Sequence, residues 1–303
     1  MGGDPIDDAR ALAERLAART DHEHASGARS MGVPGLDVLV SPTTTPVDPT
    51  IYQPVACLVL QGAKELEVGD VRLRCEAGAS IVVSHELPLR SRITVASPDE
   101  PYVALVLRLD VTLLRRLSDD LVRSPEREHD GGHLALRVGT ADRELVDAFR
   151  RLASFADSET EAAVLAPLAI HEIHYRLLTA EHGAVLRRLL QPNSHASRIA
   201  RATAEIHRGL AEPLVVAELA RTVGMSPSSF HQHFKAITTT TPLQYQKELR
   251  LLEARQLLER GDHTVTDAAL VVGYQSPTQF SREYSRKFGS PPSVDRRLAA
   301  DVA

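Results

Sequence analysis

The stretch Val216-Ala217-Glu218-Leu219-Ala220-Arg221-Thr222-Val223-Gly224-Met225-Ser226-Pro227-Ser228-Ser229-Phe230-His231-Gln232-His233-Phe234-Lys235 predicts two short helices joined by a tight turn. Leu219, Ala220 and Val223 recur at helical spacing and mark one buried face. Gly224 stops the first helix, because glycine enters the left-handed C′ conformation without strain. Ser226 is a good N-cap, and Pro227 falls at the first helical position, where its missing N–H costs nothing. Phe230 and Phe234 are four apart and point into the core. The opposite face carries Ser228, His231, Gln232 and Lys235. A helix with such a hydrogen-bonding face, set after a glycine turn, has the layout of a major-groove reading helix.

A second copy runs from Val265 to Arg286. Aligning Gly273 with Gly224 matches Ala269 to Ala220 and Val272 to Val223. Ser276-Pro277 repeats the cap one residue later, and Phe280 and Tyr284 repeat the aromatic core pair. Thr278, Gln279, Ser281, Arg282 and Arg286 fall on or beside the outer face. Arg282 suits a bidentate contact to guanine, and Arg286 suits a phosphate clamp. Between the copies, Pro242 to Arg260 predicts a helix with Pro near its start and Gly261 after its end. Its roughly 18 residues span about 27 Å. Reading helices held that far apart meet successive major-groove faces, about 34 Å apart, with modest DNA bending.

The paired motifs, the connecting helix and the closing Phe288-Gly289-Ser290-Pro291-Pro292 resemble the AraC/XylS family of bacterial transcription regulators. The resemblance covers about the last hundred residues. It implies that the outer-face residues named above touch double-stranded operator DNA, and that the chain works as a homodimer in contact with RNA polymerase. Two departures stand out. Gln232 occupies a position where many members carry Arg, and Thr238-Thr239-Thr240-Thr241 replaces a Thr-Gly turn, which is expected to soften the link to the connecting helix.

Upstream, the pattern changes to strands between Gln53 and Leu109. Val55-Ala56-Cys57-Leu58-Val59-Leu60 is a continuous apolar run and reads as a buried strand. Lys64 to Val68, Gly69-Asp70 and Val71 to Cys75 read as a hairpin with a two-residue turn. If Val68 faces Val71, then Glu67 faces Arg72, Leu66 faces Leu73 and Glu65 faces Arg74. Apolar residues then share one face and opposite charges pair on the other. Leu36 to Val40, Ala79 to Val83 and Tyr102 to Leu109 are further strands, and together they suggest a small barrel or sandwich.

Pro54 to Gly62, Lys64, Val82-Val83-Ser84 and Pro101 to Leu105 resemble the N-terminal effector domain of one AraC subgroup. The resemblance implies a cupin-like or jelly-roll-like pocket for a small-molecule effector, with Cys57, Gln61, Lys64 and His85 as candidate lining residues. His85 alone does not supply the two-His-plus-Glu set of metal-binding cupins.

Helices are expected from Asp4 to Thr20, Asp110 to Leu121, Asp142 to Phe155, Glu159 to Leu190 and His195 to Gly209. The fourth carries more apolar residues than one side of a lone helix needs. In the family such helices join the domains and form the dimer; the other reading is that they only cover the barrel. Gln191-Pro192-Asn193-Ser194 is the expected boundary. The expected class is therefore α+β. Residues 1–191 form an effector-binding and dimerisation domain, with the barrel over about 36–109 and helices over about 110–190. Residues 195–298 form an all-α DNA-binding domain with two helix-turn-helix motifs.

Net charge is −5 over 303 residues, unusual for a DNA-binding chain until it is divided. From His195 onward there are 14 Lys and Arg against 11 Asp and Glu, and 21 against 29 before it. Phosphate contacts need local positive charge, not a basic chain. No apolar run reaches the roughly 18 residues of a membrane helix, no secretory signal is visible, and two cysteines make no disulfide framework, so the chain reads as cytoplasmic. His171-Glu172-Ile173-His174 has its histidines three apart, whereas a zinc-protease helix needs four. His22 and His24 read as solvated loop residues rather than metal ligands. Cys57 and Cys75 read as core residues, with a thiol sensor as the alternative. No cofactor is expected. The sequence reads as a ligand-responsive regulator and not an enzyme. The rivals are a barrel enzyme with helical appendages, and a regulator whose N-terminal part only dimerises.

Overall fold

The computed structural model describes residues 5–18, 28–121, 133–261 and 263–295. His22 and His24 lie outside the described residues, as do the last residues of the expected DNA-binding part. Among the described residues, ten strands form two antiparallel sheets. In chain order they are β1 (Ala28–Ser30), β2 (Leu36–Ser41), β3 (Asp48–Tyr52), β4 (Val55–Gln61), β5 (Ala63–Val68), β6 (Val71–Glu76), β7 (Ala79–Val83), β8 (Leu87–Val95), β9 (Tyr102–Arg108) and β10 (Leu136–Thr140). One sheet has the order β1-β2-β9-β4-β7-β10, the other β3-β8-β5-β6.

The continuous apolar run of β4 follows from its place between two layers. Val55, Cys57 and Val59 face the four-stranded sheet, while Ala56, Leu58 and Leu60 face helices on the outside. A strand buried on both faces does not alternate. The β5–β6 hairpin has the expected register, from Glu65 opposite Arg74 to Val68 opposite Val71. One ion pair differs: Glu65 takes Arg92 of β8, at 2.6 Å, rather than Arg74. Strands β1, β3, β8 and β10 are additions to those read from the sequence. Pro49 sits on the edge strand β3, where a missing N–H is tolerated. Pro88 lies beyond the part of β8 that pairs with β5.

Helix α1 (Pro5–Ala18) buries Leu12, Ala13 and Leu16 against the outer face of the six-stranded sheet. After α2 (Val111–Leu121) and α3 (Arg143–Ser154), the expected long helix is cut into α4 (Glu159–Val164), α5 (Ala166–Thr179) and α6 (Ala184–Leu190). Pro167 starts α5. Gly183, before α6, touches the Leu177 carbonyl so closely that a Cβ has no room. The Pro192 turn ends with Asn193 at φ 59, and Ser194 caps α7 (His195–Arg208) by accepting from Ser197 N.

The two motifs form as the local pattern predicts: α8 (Val216–Thr222) and α9 (Pro227–Thr238), then α10 (Pro242–Glu259), then α11 (Val265–Val271) and α12 (Pro277–Phe288). Gly224 and Gly273 have φ 72 and 89. The second motif has its own core, around Leu258, Ala269, Phe280 and Tyr284. The first does not: Ile199, Phe230, Phe234 and Tyr245 belong to one cluster with the inner residues of the barrel.

The threonine run is bonded rather than loose. Thr238 Oγ1 donates to the Phe234 carbonyl at 2.8 Å, and Thr241 caps α10. Thr239 takes the left-handed conformation, φ 66, that glycine would take without strain. That conformation costs a β-branched residue about 1–2 kcal/mol, and glycine's unfolded-state freedom offsets part of the relief. Thr239→Gly is therefore expected to raise stability by about 0.5–1 kcal/mol. Thermal unfolding of the two proteins checks it, and a lower Tm would show that the Thr239 side chain contributes more than its backbone strain costs.

Candidate functional site

The outer faces of α9 and α12 present the residues expected to read DNA. Ser228, His231, Gln232 and Lys235 are exposed on α9, and Thr278, Gln279, Arg282 and Arg286 on α12, with Ser281 half-buried beside them. Phe230, Phe234, Phe280 and Tyr284 fill the opposite faces at 0 % exposure, so the orientation of each reading helix is set by its aromatic pair. Other cations nearby are engaged. Lys247 pairs with Glu283 at 2.7 Å, and Lys287 lies 3.9 Å from Glu248. Among the described residues, neither Arg282 nor Arg286 pairs with a carboxylate, which leaves both guanidinium groups to solvent or ligand.

Two residues of α10, one turn apart, hold the motifs together. Arg250 donates to the carbonyls of Leu210 (2.8 Å), Glu212 (2.9 Å) and Gly273 (3.2 Å). Gln246 donates to the Glu212 carbonyl at 2.9 Å. The carbonyl of Ala211 lies against Gly273 where a side chain would sit. The segment before α8 is thereby fastened to the turn of the second motif. The sequence pattern around α10 does not reveal this, because the acceptors are backbone atoms of distant loops.

The barrel also touches the DNA-reading part. The Tyr245 hydroxyl donates to the Glu86 carbonyl at 2.8 Å, and Ala135 N donates to the Ile237 carbonyl at the end of α9 at 3.1 Å. Thr239 lies against the hairpin turn at Gly69, 2.8 Å from where a Cβ there would be. Arg255 of α10 pairs with Asp48 of β3.

The four candidate effector residues separate. Cys57 and Lys64 meet inside the barrel, on facing sheets. Lys64 is 3 % exposed and donates to the Tyr52 hydroxyl at 2.7 Å. Burial pushes the Cys57 thiol up, with Lys64 opposing, and Cys75, in register with Lys64, is pushed up by burial to about 11. Gln61 instead braces a bulge in β4, donating to the Pro101 carbonyl at 2.8 Å. His85 stands at the junction of barrel and α7: its Nδ1 meets Ser84 Oγ at 2.8 Å and its Nε2 meets the Ala196 carbonyl at 2.9 Å. A cleft of about 320 Å³ there is bordered by His85, Glu86, Arg115 and Arg201. Tyr52 and Tyr102, which join Cys57 and Lys64 in the interior, were not singled out from sequence. Strand alternation in β9, with Tyr102 and Ala104 facing inward, was the available signal.

Of the two histidines of α5, His171 is exposed and His174 is used structurally. His174 is buried, with Nδ1 at the Ile170 carbonyl and Nε2 accepting from Asp110 N, and Glu172 pairs with Arg151 and Arg176.

Two family profiles match the chain, one described as AraC-type transcriptional regulator N-terminus over residues 32–185, the other as Helix-turn-helix domain over residues 219–298. The first alone spans half of the chain. The chain belongs to the AraC family of transcription regulators. Similar proteins include HTH-type transcriptional regulator CdhR of Pseudomonas aeruginosa, 30% identical over 175 residues, which are 56% of this chain and 49% of the relative. The probable thc operon regulatory protein of Rhodococcus erythropolis is 35% identical over 125 residues, 40% of this chain and 37% of that one. The chain thus spans about half the length of these relatives or less. ToxT from Vibrio cholerae O395 has a similar fold, with a TM-score of 0.59 at 12% identity over 88% of this chain and 99% of that one.

Burial most, with the nearby Arg188 adding to it, holds the His85 imidazole down from 6.5 to about 4, against the Ala196 carbonyl, which favours the charged form. Above pH 6.5 both folded and unfolded chains carry it neutral. Between about 6.5 and 4 the unfolded chain binds a proton that the folded chain refuses, so stability is lost as the pH drops through this window. The slope from this one group approaches about 1.4 kcal/mol per pH unit. His85→Gln is expected to remove that increment, seen as the difference between wild-type and variant denaturation midpoints across this window. Parallel curves would place His85 in water.

Proposed function

We propose that this chain is a DNA-binding transcription regulator that reads an operator with α9 and α12 and answers to a small molecule held by its barrel. The observation that carries it is the pair of exposed polar faces on two caps-and-glycine motifs, spaced by the 18-residue α10 and clamped by Arg250. Selection of bound sequences from a random DNA pool supplies the operator. On it, Arg282→Ala is expected to lose roughly 1–3 kcal/mol and to relax preference at one base pair. An equal loss on every sequence would assign Arg282 to phosphate. Failure of the wild-type chain to select any sequence would remove the reading. Single-round transcription from the selected operator with purified RNA polymerase tests the polymerase contact, and the sign of the response separates activation from repression.

Dimerisation belongs to the same proposal. Leu168 and Tyr175 are seven apart on α5 and expose 67% and 44% of their surface, with Val164 at 63% close by on α4. Apolar side chains at that spacing on an open helix face suit a second copy of the chain. Avidity from a second half-site would compensate for the weak charge surplus of the reading part. Leu168→Glu is expected to halve the mass seen by sedimentation and to weaken operator binding. An unchanged mass would assign these helices to covering the barrel.

An enzyme reading has less support. Beside the Lys64 amine stand the Tyr52 and Tyr102 hydroxyls and the Cys57 and Cys75 thiols; burial raises both thiols and Tyr102, and neither an activated nucleophile nor a facing pair of carboxylates is described among these five groups.

A further inference from the structure

Strand alternation places Lys64 on the same face of β5 as Leu66 and Val68, the face that forms the barrel core. An ammonium group withdrawn from water is costly unless an opposite charge meets it. Lys64 is 3 % exposed, and its described hydrogen bond goes to the Tyr52 hydroxyl, a neutral group. Among the described residues, no carboxylate lies within ion-pair distance of it. The neighbouring thiols do not supply the missing charge, since burial raises both. Burial works against the Lys64 charge, and the polar groups set beside it, Tyr102, Tyr52 and Cys57, are hydroxyls and a thiol rather than carboxylates.

A second anomaly faces the first. Tyr102, on β9 of the opposite sheet, is 0 % exposed, and its hydroxyl has no hydrogen-bond partner. Buried hydroxyls are nearly always bonded, so an unbonded one has capacity for a further partner. Tyr102 and Lys64 lie close enough to shift each other's titration. The interior therefore presents a cation and a free O–H donor to one region, with Val59, Leu66, Ile81 and Leu87 in the same apolar cluster. A group that only accepts hydrogen bonds and carries one negative charge satisfies both. An amine would repel Lys64, and an uncharged amide would leave its charge unmet. Tyr52 is half-buried on the edge strand β3, with its ring 5.1 Å from Lys64 Nζ, so this side of the cluster borders solvent.

We propose that the barrel takes a small monocarboxylate with an apolar body, its carboxylate held by Lys64 and the Tyr102 hydroxyl. The proposal rests on reading the barrel as the effector-binding part and names the chemistry of that effector.

The test uses the full chain and a panel of monocarboxylates from acetate through hexanoate to benzoate. Each is paired with its amide, and inorganic phosphate serves as a general anion. Thermal shift and calorimetry report binding. The expected result is that at least one carboxylate raises Tm while its amide and phosphate do not. Lys64→Met should weaken that carboxylate by roughly 10- to 100-fold. It should also raise the Tm of the unliganded protein, since it removes an unmet buried charge. Tyr102→Phe should keep the unliganded Tm, because its hydroxyl bonds nothing, and still weaken the carboxylate by roughly tenfold. A carboxylate no better than its amide or phosphate overturns the proposal, as does the absence of binding by every carboxylate. A lower Tm for unliganded Lys64→Met, with carboxylate binding intact in Tyr102→Phe, makes Lys64 a structural residue and overturns it as well. Operator titration with and without the bound carboxylate keeps the two readings apart. Carboxylate binding with unchanged operator affinity preserves the site and defeats the effector role.

Discussion

The double burial of β4 is the constraint on which the rest of the chain depends. Each Val or Leu side chain removed from water contributes about 1.5–3 kcal/mol, and Val55 to Leu60 place four of them, with Ala56 and Cys57, on two faces of one strand. One face demands a second sheet and the other demands helices. The β3-β8-β5-β6 layer and the α1–α6 cover answer those demands. The barrel interior is thereby closed on both sides, and what remains polar inside it stands out.

The same inner core extends into the DNA-reading part. Ile199, Phe230 and Phe234 pack in the cluster that holds Cys57 and Leu66. The fastenings at this junction are mostly hydrogen bonds to backbone carbonyls: His85 to Ala196, Tyr245 to Glu86, Ala135 to Ile237. Such contacts depend on position and not on the identity of the acceptor side chain, so a small shift of the 84–86 segment is felt at both α7 and α10. The second motif is tied less to the barrel and more to α10, through Arg250 and the Gly273 turn.

Polar groups in the barrel divide by what satisfies them. Ser80 finds His182, Ser84 finds His85 and the Ala135 carbonyl, and Gln61 finds the Pro101 carbonyl. These are complete and rigid. Lys64 and Tyr102 are incomplete in the same interior, and incompleteness in a closed core costs stability that a ligand can restore.

The sequence by itself determined the two helix-turn-helix motifs, the connecting helix and the β5–β6 register. Caps, glycine stops, the aromatic pairs four apart and cross-strand charges act within a few residues, so local order carries them. It also placed the outer-face residues from Ser228 to Arg286, because a helix face follows from spacing once the aromatic residues point inward. Tertiary structure alone decided the rest. Glu65 takes Arg92 over Arg74 because β8 lies beside β5, and the chain turns between α5 and α6 at Gly183, where the Leu177 carbonyl leaves no room for a Cβ. The four residues expected to share a pocket separated, with Gln61 at a bulge and His85 at the junction, while Tyr52 and Tyr102 joined Cys57 and Lys64. Residues so far apart in the chain meet only when two sheets close on each other, and no local periodicity encodes which inward side chains face one another across that gap.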